Sequence, residues 1–280
     1  MSLAGRTLFI TGGSRGIGHA IALRAARDGA NVVIAAKTVT PHPKLGGTIY
    51  SAAEDIEAAG GQALPLMLDV RDAAAIETAV TAAVDRFGGI DICINNASAI
   101  NLAPSPEIDV KHFDLIQQVN MRATFLVSRA CVPHLRRSTN PHVLTLSPPL
   151  AMRADWFAQH LPYTMSKYGM SMVTFGMAAE FAGDGIAFNA LWPRTTIATA
   201  AIQFALGDDE MMRRSRKPEI MADAAHVILS RPARTFTGNF VLDEDVLRET
   251  GVMDFDVYAN DPSVAPLIDI FVDRAQMSPA

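Results

Sequence analysis

TLFITGGSRGIG, residues 7–18, is the stretch on which the fold turns. Its first five residues are apolar or β-branched and suit a strand buried on both faces. Glycines follow at 12, 13, 16 and 18, and the run GHAIALRAARDG from residue 18 reads as a helix. Glycines alone also make ordinary turns. Between a strand and a helix they carry more meaning, because glycine lets the backbone approach a pyrophosphate closely. The helix N-terminus then offers free N–H groups and the positive end of its dipole. A dinucleotide is therefore expected on Gly12, Ser14, Arg15, Gly16, Ile17 and Gly18.

The same alternation runs along the chain. NVVIAA (31–36), ALPLML (63–68), DICIN (91–95), HVLTLS (142–147), IAFNALW (186–192) and NFVLD (239–243) read as strands, with helical stretches between them. None alternates cleanly, as in strands covered on both faces. The fold class expected is α/β: a single-domain, Rossmann-type, doubly wound parallel sheet of about seven strands with helices on both faces. Its core should span about residues 5–245, leaving 246–280 as a tail of no assigned role. Long connections at 38–49, 148–162 and 193–220 leave from the carboxyl edge of the sheet, where such folds bind ligands.

Composition narrows the class. The 280 residues are 49% hydrophobic and 19% charged, enough for a large core and too apolar for disorder. The net charge of -5 and pI near 5.8 give no basic footprint for nucleic acid. The basic run MMRRSRKP (211–218) reads as a solvated helix end. Cys93 and Cys131 have apolar neighbours and read as buried thiols of a reducing compartment. No apolar run reaches membrane-spanning length, and a strand beginning at residue 7 leaves no room for a signal peptide. A cytoplasmic protein is expected, with no metal, membrane or nucleic-acid partner.

The end of the second strand should meet the adenosine ribose. An acid there would favour NAD; this chain reads IAAKT, with Lys37 instead. Arg15 stands within the glycine turn, and two cations at one corner suit a 2′-phosphate. NADP is thus expected over NAD. Lys44 in the following loop either joins them or is a solvated loop residue.

LPYTMSKYGM (161–170) places Tyr163 four residues before Lys167, on one helix face. The spacing by itself fits either a plain helix surface or a phenol held beside an ammonium for proton transfer.

Taken together, TGGSRGIG, LDV (68–70), NNAS (95–98), VN (119–120), LS (146–147) and YTMSK (163–167) resemble, in order and spacing, the short-chain dehydrogenase/reductase family. AAKTVTPHPKLGGTIY, SPPL, YGMSM and LWPRT resemble more narrowly the hydroxysteroid dehydrogenase-like protein 2 group and its bacterial relatives. The resemblance implies Tyr163 as general acid/base, Lys167 as its partner and as a holder of the nicotinamide ribose, Ser147 as the carbonyl-orienting hydroxyl, and Asn120 as the fourth member, disturbing its helix locally. It also implies that Asp69 faces the adenine, with Val70 beside it. Asn95 and Ala97 then contact the adenosine side, and Pro193, Ile197 and Thr199 lie near the carboxamide, with Thr195 a neighbour. For Asp69 a helix-capping role competes, though Asp72 is the better cap. Chemistry supports the assignment: a free tyrosine titrates near 10, and a cation one turn away should favour its phenolate.

Three departures stand out. Ser98 replaces the family's usual glycine, Pro148 and Pro149 follow Ser147, and Arg194 follows Pro193. Arg194 either reads an acidic group or is a surface arginine. Met152, Trp156, Phe157, Leu161, Ile202, Phe204, Leu206, Met211 and Met212 suit either a pocket for a lipophilic alcohol or carbonyl, or plain packing. The resemblance implies that two long helices, near 112–137 and 162–182, pack against their copies in a neighbour, giving a homodimer or homotetramer. The activity expected is hydroxyl–carbonyl interconversion by hydride transfer; a dinucleotide-binding sensor without turnover, or an epimerase or dehydratase, stays open.

Overall fold

Leu8 and Ile10 enter one apolar layer, while Phe9 between them enters another. Neighbouring side chains on a strand point to opposite faces, so this strand is covered on both. The structure, a computed structural model, describes residues 2–42, 45–200, 202–203 and 209–273.

Strand and helix alternate through β1 (Thr7–Thr11), α1 (Gly16–Ala26), β2 (Asn31–Ala36), α2 (Ile49–Ala58), β3 (Gln62–Met67), α3 (Ala73–Phe87) and β4 (Ile92–Asn95). Next come α4 (Val110–Gln117), α5 (Ala123–Leu135), β5 (His142–Thr145), α6 (Ala154–Ala158) and α7 (Leu161–Glu180). The chain continues with β6 (Ala187–Trp192), α8 (Asp209–Arg213), α9 (Glu219–Ser230), β7 (Phe240–Leu242) and α10 (Asp243–Arg248). The strands form one seven-stranded sheet, order β3-β2-β1-β4-β5-β6-β7, with every pair parallel. Residues of α1, α2 and α9 pack on one face, and those of α3, α5 and α7 on the other. The expected single-domain, doubly wound α/β fold is the observed one.

Local chemistry sets the helix starts. Thr48 and Ser51 form a reciprocal capping box at α2, and Asp109 caps α4 through the His112 N–H. Asp72 caps α3 by accepting from Ala74 and Ala75, the role weighed above for Asp69.

Two of the long connections carry short helices among their described residues. The 148–162 stretch contains α6, and 193–220 contains α8. Past α10 the tail returns to the carboxyl edge of the sheet. Thr196 N–H donates to Leu267 O at 2.9 Å, and Asp269 N–H to Arg194 O at 3.1 Å. The basic run is not simply solvated: Arg216 is mostly buried and pairs with Glu244 at 2.8 Å, because α10 brings a buried carboxylate beneath it. Cys93 and Cys131 are buried, free thiols.

Candidate active site

β1 and β4 are neighbours whose chain connections run off in opposite directions, so their carboxyl ends open a crevice. Thr11 Oγ1 donates to Ile94 O at 3.2 Å and accepts the N–H groups of Asn96 and Ala97, each at 3.1 Å. Asn96 Nδ2 donates to the carbonyls of Thr11 and Gly12, both at 3.0 Å. A Cβ on Gly18 would lie 2.4 Å from that amide nitrogen, so only glycine lets α1 approach this closely. No side chain caps the start of α1. Its leading N–H groups thus keep donor capacity for an anion. Ser14 is buried in the turn, and Ile17 packs on the core behind it.

The loop after β2 closes over this turn. Gly47 has φ +65, and a Cβ there would sit 2.5 Å from Ser14 O. Arg15 donates to Thr38 Oγ1 at 3.0 Å and Gly47 O at 3.1 Å, which fixes its guanidinium where β2 ends. Lys37 is exposed, with Nζ 3.9 Å from Asp69 Oδ2. Asp69 is gripped by the Arg71 guanidinium, which draws its carboxyl down to about 2. Lys44 lies outside the described residues. An uncapped helix start, a glycine turn and a fixed arginine fit the phosphates of a dinucleotide.

Val70, Asn95 and Ala97 border one small void with Thr11 and Val119. The Asn95 amide donates to Ser128 Oγ at 2.9 Å, so its side chain is committed to α5. The tie to the glycine turn comes from Asn96, a residue the NNAS motif contained but sequence reasoning passed over. Pro193 and Ile197 are buried. The Thr199 methyl lies 3.4 Å from where a Cβ on Gly16 would stand, so this segment lies over the glycine turn. Thr195 Oγ1 is buried without a partner among the described residues. Phe204 and Leu206 lie outside those residues.

The four proposed catalytic residues come from three elements. Asn120 sits in a π-helical turn, Gln118–Arg122, between α4 and α5, a local widening frequent at functional sites. Fully buried, it exchanges two hydrogen bonds with the Ala99 backbone and donates to Ser166 Oγ at 2.9 Å. Ser147 follows β5; its hydroxyl is buried and unpartnered among the described residues. Lys167 Nζ donates to Leu146 O at 2.7 Å, next to that serine, and stands 5.1 Å from the Trp192 ring centre. Burial lowers its pKa to about 7, with the Asp269 charge opposing. Tyr163 is buried, and the nearby Ser98 side chain draws its phenol down against the effect of burial. The expected lowering of the phenol does not hold. Burial, helped by the negative charge of Asp269, holds it well above its ordinary value, because a low-dielectric surround opposes charging of phenol and ammonium alike.

Arg194 is taken up internally. Its guanidinium pairs with Glu244 and Asp245, and its N–H donates to Asp243. Trp156 and Phe157 pack toward Tyr163 and Tyr168, joined by Phe271 and Val272 of the tail. No sequence signal pointed to Phe271. Met152 and Leu161, by contrast, are exposed. Among the described residues no helix is long and apolar enough to cross a membrane, and no cluster of His, Cys, Asp or Glu could hold a metal ion.

Fold and cradle together fit the class of α/β proteins that hold a dinucleotide at the carboxyl edge of a parallel sheet. The chain belongs to the short chain dehydrogenase family, whose sequence model matches residues 6–206. Members bind a nicotinamide dinucleotide and act on small molecules. The chain is 59% identical over 271 residues to hydroxysteroid dehydrogenase-like protein 2 of Danio rerio, covering 97% of this chain and 65% of that one. It spans between 51% and 65% of the length of such relatives. A solved structure from Xanthomonas campestris matches with a TM-score of 0.95 at 54% identity, over 98% of this chain and 100% of that one. A more distant metagenomic short-chain oxidoreductase, solved in complex with NADP, matches with a TM-score of 0.70 at 25% identity, over 86% and 98%. The resemblance read from the motifs is thereby borne out, for the family and for the narrower group.

Proposed function

We propose that the chain is an NADP(H)-dependent oxidoreductase that interconverts a hydroxyl and a carbonyl on a small lipophilic compound, with Tyr163 as general acid/base. The carrying observation is the Ser147 hydroxyl, buried and unpartnered beside the carbonyl that holds Lys167. A buried polar group left unmatched costs about 1–3 kcal/mol, so a position that keeps one has a use for it.

When bound, the dinucleotide supplies the hydride to the carbonyl carbon, or takes it from the alcohol. In the reducing direction Tyr163 gives its phenolic proton to the substrate oxygen as negative charge gathers there; in the oxidising direction it takes that proton back. The phenol is protonated at neutral pH, as the acid role needs; its raised pKa makes it a weaker acid and a stronger base. Ser147 donates a hydrogen bond to the same oxygen. Lys167, brought to about 7, can hold or release a proton near neutrality and so return one to the phenol from one turn away. Asn120 positions, through Ser166 Oγ, which donates to Tyr163 O at 2.8 Å.

Arg15 and Lys37 support NADP over NAD, since β2 ends without an acid and Arg15 is held at that corner. The metagenomic relative with NADP points the same way. Apolar side chains around Tyr163 support a lipophilic substrate.

The test is NADPH oxidation against a panel of lipophilic aldehydes and ketones. Tyr163→Phe should lower turnover by ~10²–10⁴-fold, the range for a lost acid/base, with NADPH binding unchanged. Wild-type protein that binds NADPH but oxidises it with no carbonyl, or equal turnover in Tyr163→Phe, would overturn the reading.

A further inference from the structure

Beyond residue 206, where the family match ends, the chain adds a strap that reaches the catalytic tyrosine. We propose that Phe271, carried by this strap, is the specificity-determining wall of the substrate pocket, and that it selects carbonyl compounds bearing a flat aromatic or unsaturated substituent. The proposal rests on the oxidoreductase reading above and names its substrate class.

The strap is built in, not draped. Residues 267–269 run antiparallel to 194–196, through the Thr196 to Leu267 and Asp269 to Arg194 hydrogen bonds and the Thr195–Ile268 bridge. Trp192 Nε1 donates to Ile270 O at 2.9 Å. At its far end Arg153, just ahead of α6, pairs with Asp273 at 2.7 Å. Sheet edge, tryptophan and arginine together fix where residue 271 must stand.

There the backbone takes φ +64, a conformation bulky L residues rarely adopt. Such strain persists where the surroundings over-determine it and is concentrated at functional sites. Here it accompanies a ring turned inward: Phe271 is only 3% exposed. Its ring centre lies 5.8 Å from Trp192, 5.9 Å from Tyr168 and 6.0 Å from Trp156. It lies 6.4 Å from Tyr163, with planes 22° apart.

The last contact decides the role. A substrate oxygen that meets the Tyr163 phenol brings its carbon substituents up to that same ring. Whatever they are, they lie against Phe271 or take its place. The rings there are packed on one another and buried; a substituent that displaces one meets ring faces and edges, which favour another flat π-system by offset or edge contact beyond simple area burial. Straight alkyl chains gain only the area term.

The chain has two tryptophans, and both pack against Phe271, so intrinsic fluorescence reports on this aromatic cluster without turnover. Full-length wild type, Phe271→Ala and Phe271→Leu, each saturated with NADP, are titrated with acetophenone and with 2-octanone. Melting curves confirm that the variants fold; both keep a Cβ at the strained position, so backbone strain is held constant. We expect acetophenone to bind wild type more tightly than 2-octanone. Phe271→Ala should weaken acetophenone by about tenfold, a typical size for a lost aromatic contact, with NADP affinity unchanged. Phe271→Leu should keep 2-octanone binding and lose the aromatic preference. Equal binding of the two ketones by wild type, or acetophenone binding untouched in Phe271→Ala, overturns the proposal. Selective ketone binding without any NADPH oxidation would instead sink the oxidoreductase reading and leave the wall standing.

Discussion

Asn120 and Ala99 hold each other by both polar ends: the Ala99 N–H donates to Asn120 Oδ1 at 2.8 Å, and Asn120 Nδ2 donates to Ala99 O at 3.0 Å. The same amide continues to Ser166 and so to the backbone of Tyr163. A π-helical turn carries this asparagine, and its side chain ties the segment after β4 to the start of α7. Asn120→Ala should leave the Ala99 groups and Ser166 short of partners in a dry place. We expect a loss of about 2–3 kcal/mol in stability by urea titration, and turnover per folded molecule falling more than NADPH affinity. Full turnover in the folded fraction would show the link to be structural alone.

Arg15 and Lys37 should contribute unequally to the choice of dinucleotide. Arg15 is preset by two hydrogen bonds, whereas Lys37 has 60% of its side chain in solvent and a loose 3.9 Å approach to Asp69. A fixed guanidinium loses less freedom on binding a phosphate than a mobile ammonium. Arg15→Ala is expected to weaken NADPH about tenfold or more and Lys37→Ala by a few-fold, as measured by nicotinamide fluorescence. NADH affinity should barely move in Lys37→Ala, and added salt should shrink that variant's effect. Equal affinity of wild type for the two dinucleotides would reduce Lys37 to a strand end.

What the sequence made legible was local. The glycine turn, the five inner strands and the Asp72 cap each depend on neighbours within a few residues, and each stands where the motif put it; β3 and β7, read as covered on both faces, are half-exposed because they close the two edges of the sheet. Asn96 and Asn95 show the limit: adjacent residues of one motif face opposite ways, and only the pairing of β4 with β1 assigns Asn96 to the glycine turn. Phe271 and Asp269 left no local trace, since they meet Tyr163 and Lys167 from about a hundred residues away through strap pairing. The raised Tyr163 pKa was likewise out of reach, because charge spacing can be read along a helix but burial cannot. Arg194 sat beside the reaction centre in sequence, yet α10 claims it with two carboxylates.

Asp243 gives the protein a signed pH dependence. Its Oδ1 accepts from the N–H groups of Arg194 and Glu244, while Oδ2 is buried without a partner among the described residues. Burial pushes its pKa up to about 7; Glu244 adds to this, and the two backbone donors and Arg216 oppose it. Asp269 of the strap faces it and is raised to about 7 as well, by burial and by the Asp243 charge. In the unfolded chain an aspartate titrates near 3.9. Between about pH 4 and 7 the folded state therefore holds a proton the unfolded state has released, so this contribution is intact below pH 4 and is lost as pH rises through 7. Asp243→Asn keeps the Oδ1 acceptor and cannot ionise. It should melt a few degrees above wild type at pH 8, for roughly 1–3 kcal/mol, and level with it near pH 4. Parallel melting curves across that range would refute the assignment.

The outer face of α7 is expected to seat a second copy of the chain. Met165, Met172 and Phe175 are exposed there, the last two at 62%, and Met121 and Phe125 are exposed on the adjacent π-turn and α5. Gly169 lets these elements close up: a Cβ on it would lie 2.4 Å from Met121 Cγ. A contiguous apolar face of this kind is unusual on a monomer, and a two-fold axis across α7 would bury it against itself. Light scattering at micromolar concentration should give a multiple of 30.0 kDa, and the double substitution Met172→Asp with Phe175→Asp should return a monomer. A monomeric wild type would end the idea. The π-turn turns Asn120 inward and Met121 outward from consecutive positions, so an interface that steadies Met121 also steadies the asparagine tied to Tyr163. The monomeric variant should then bind NADPH normally and turn over more slowly; unchanged turnover would mean that the interface and the site are independent.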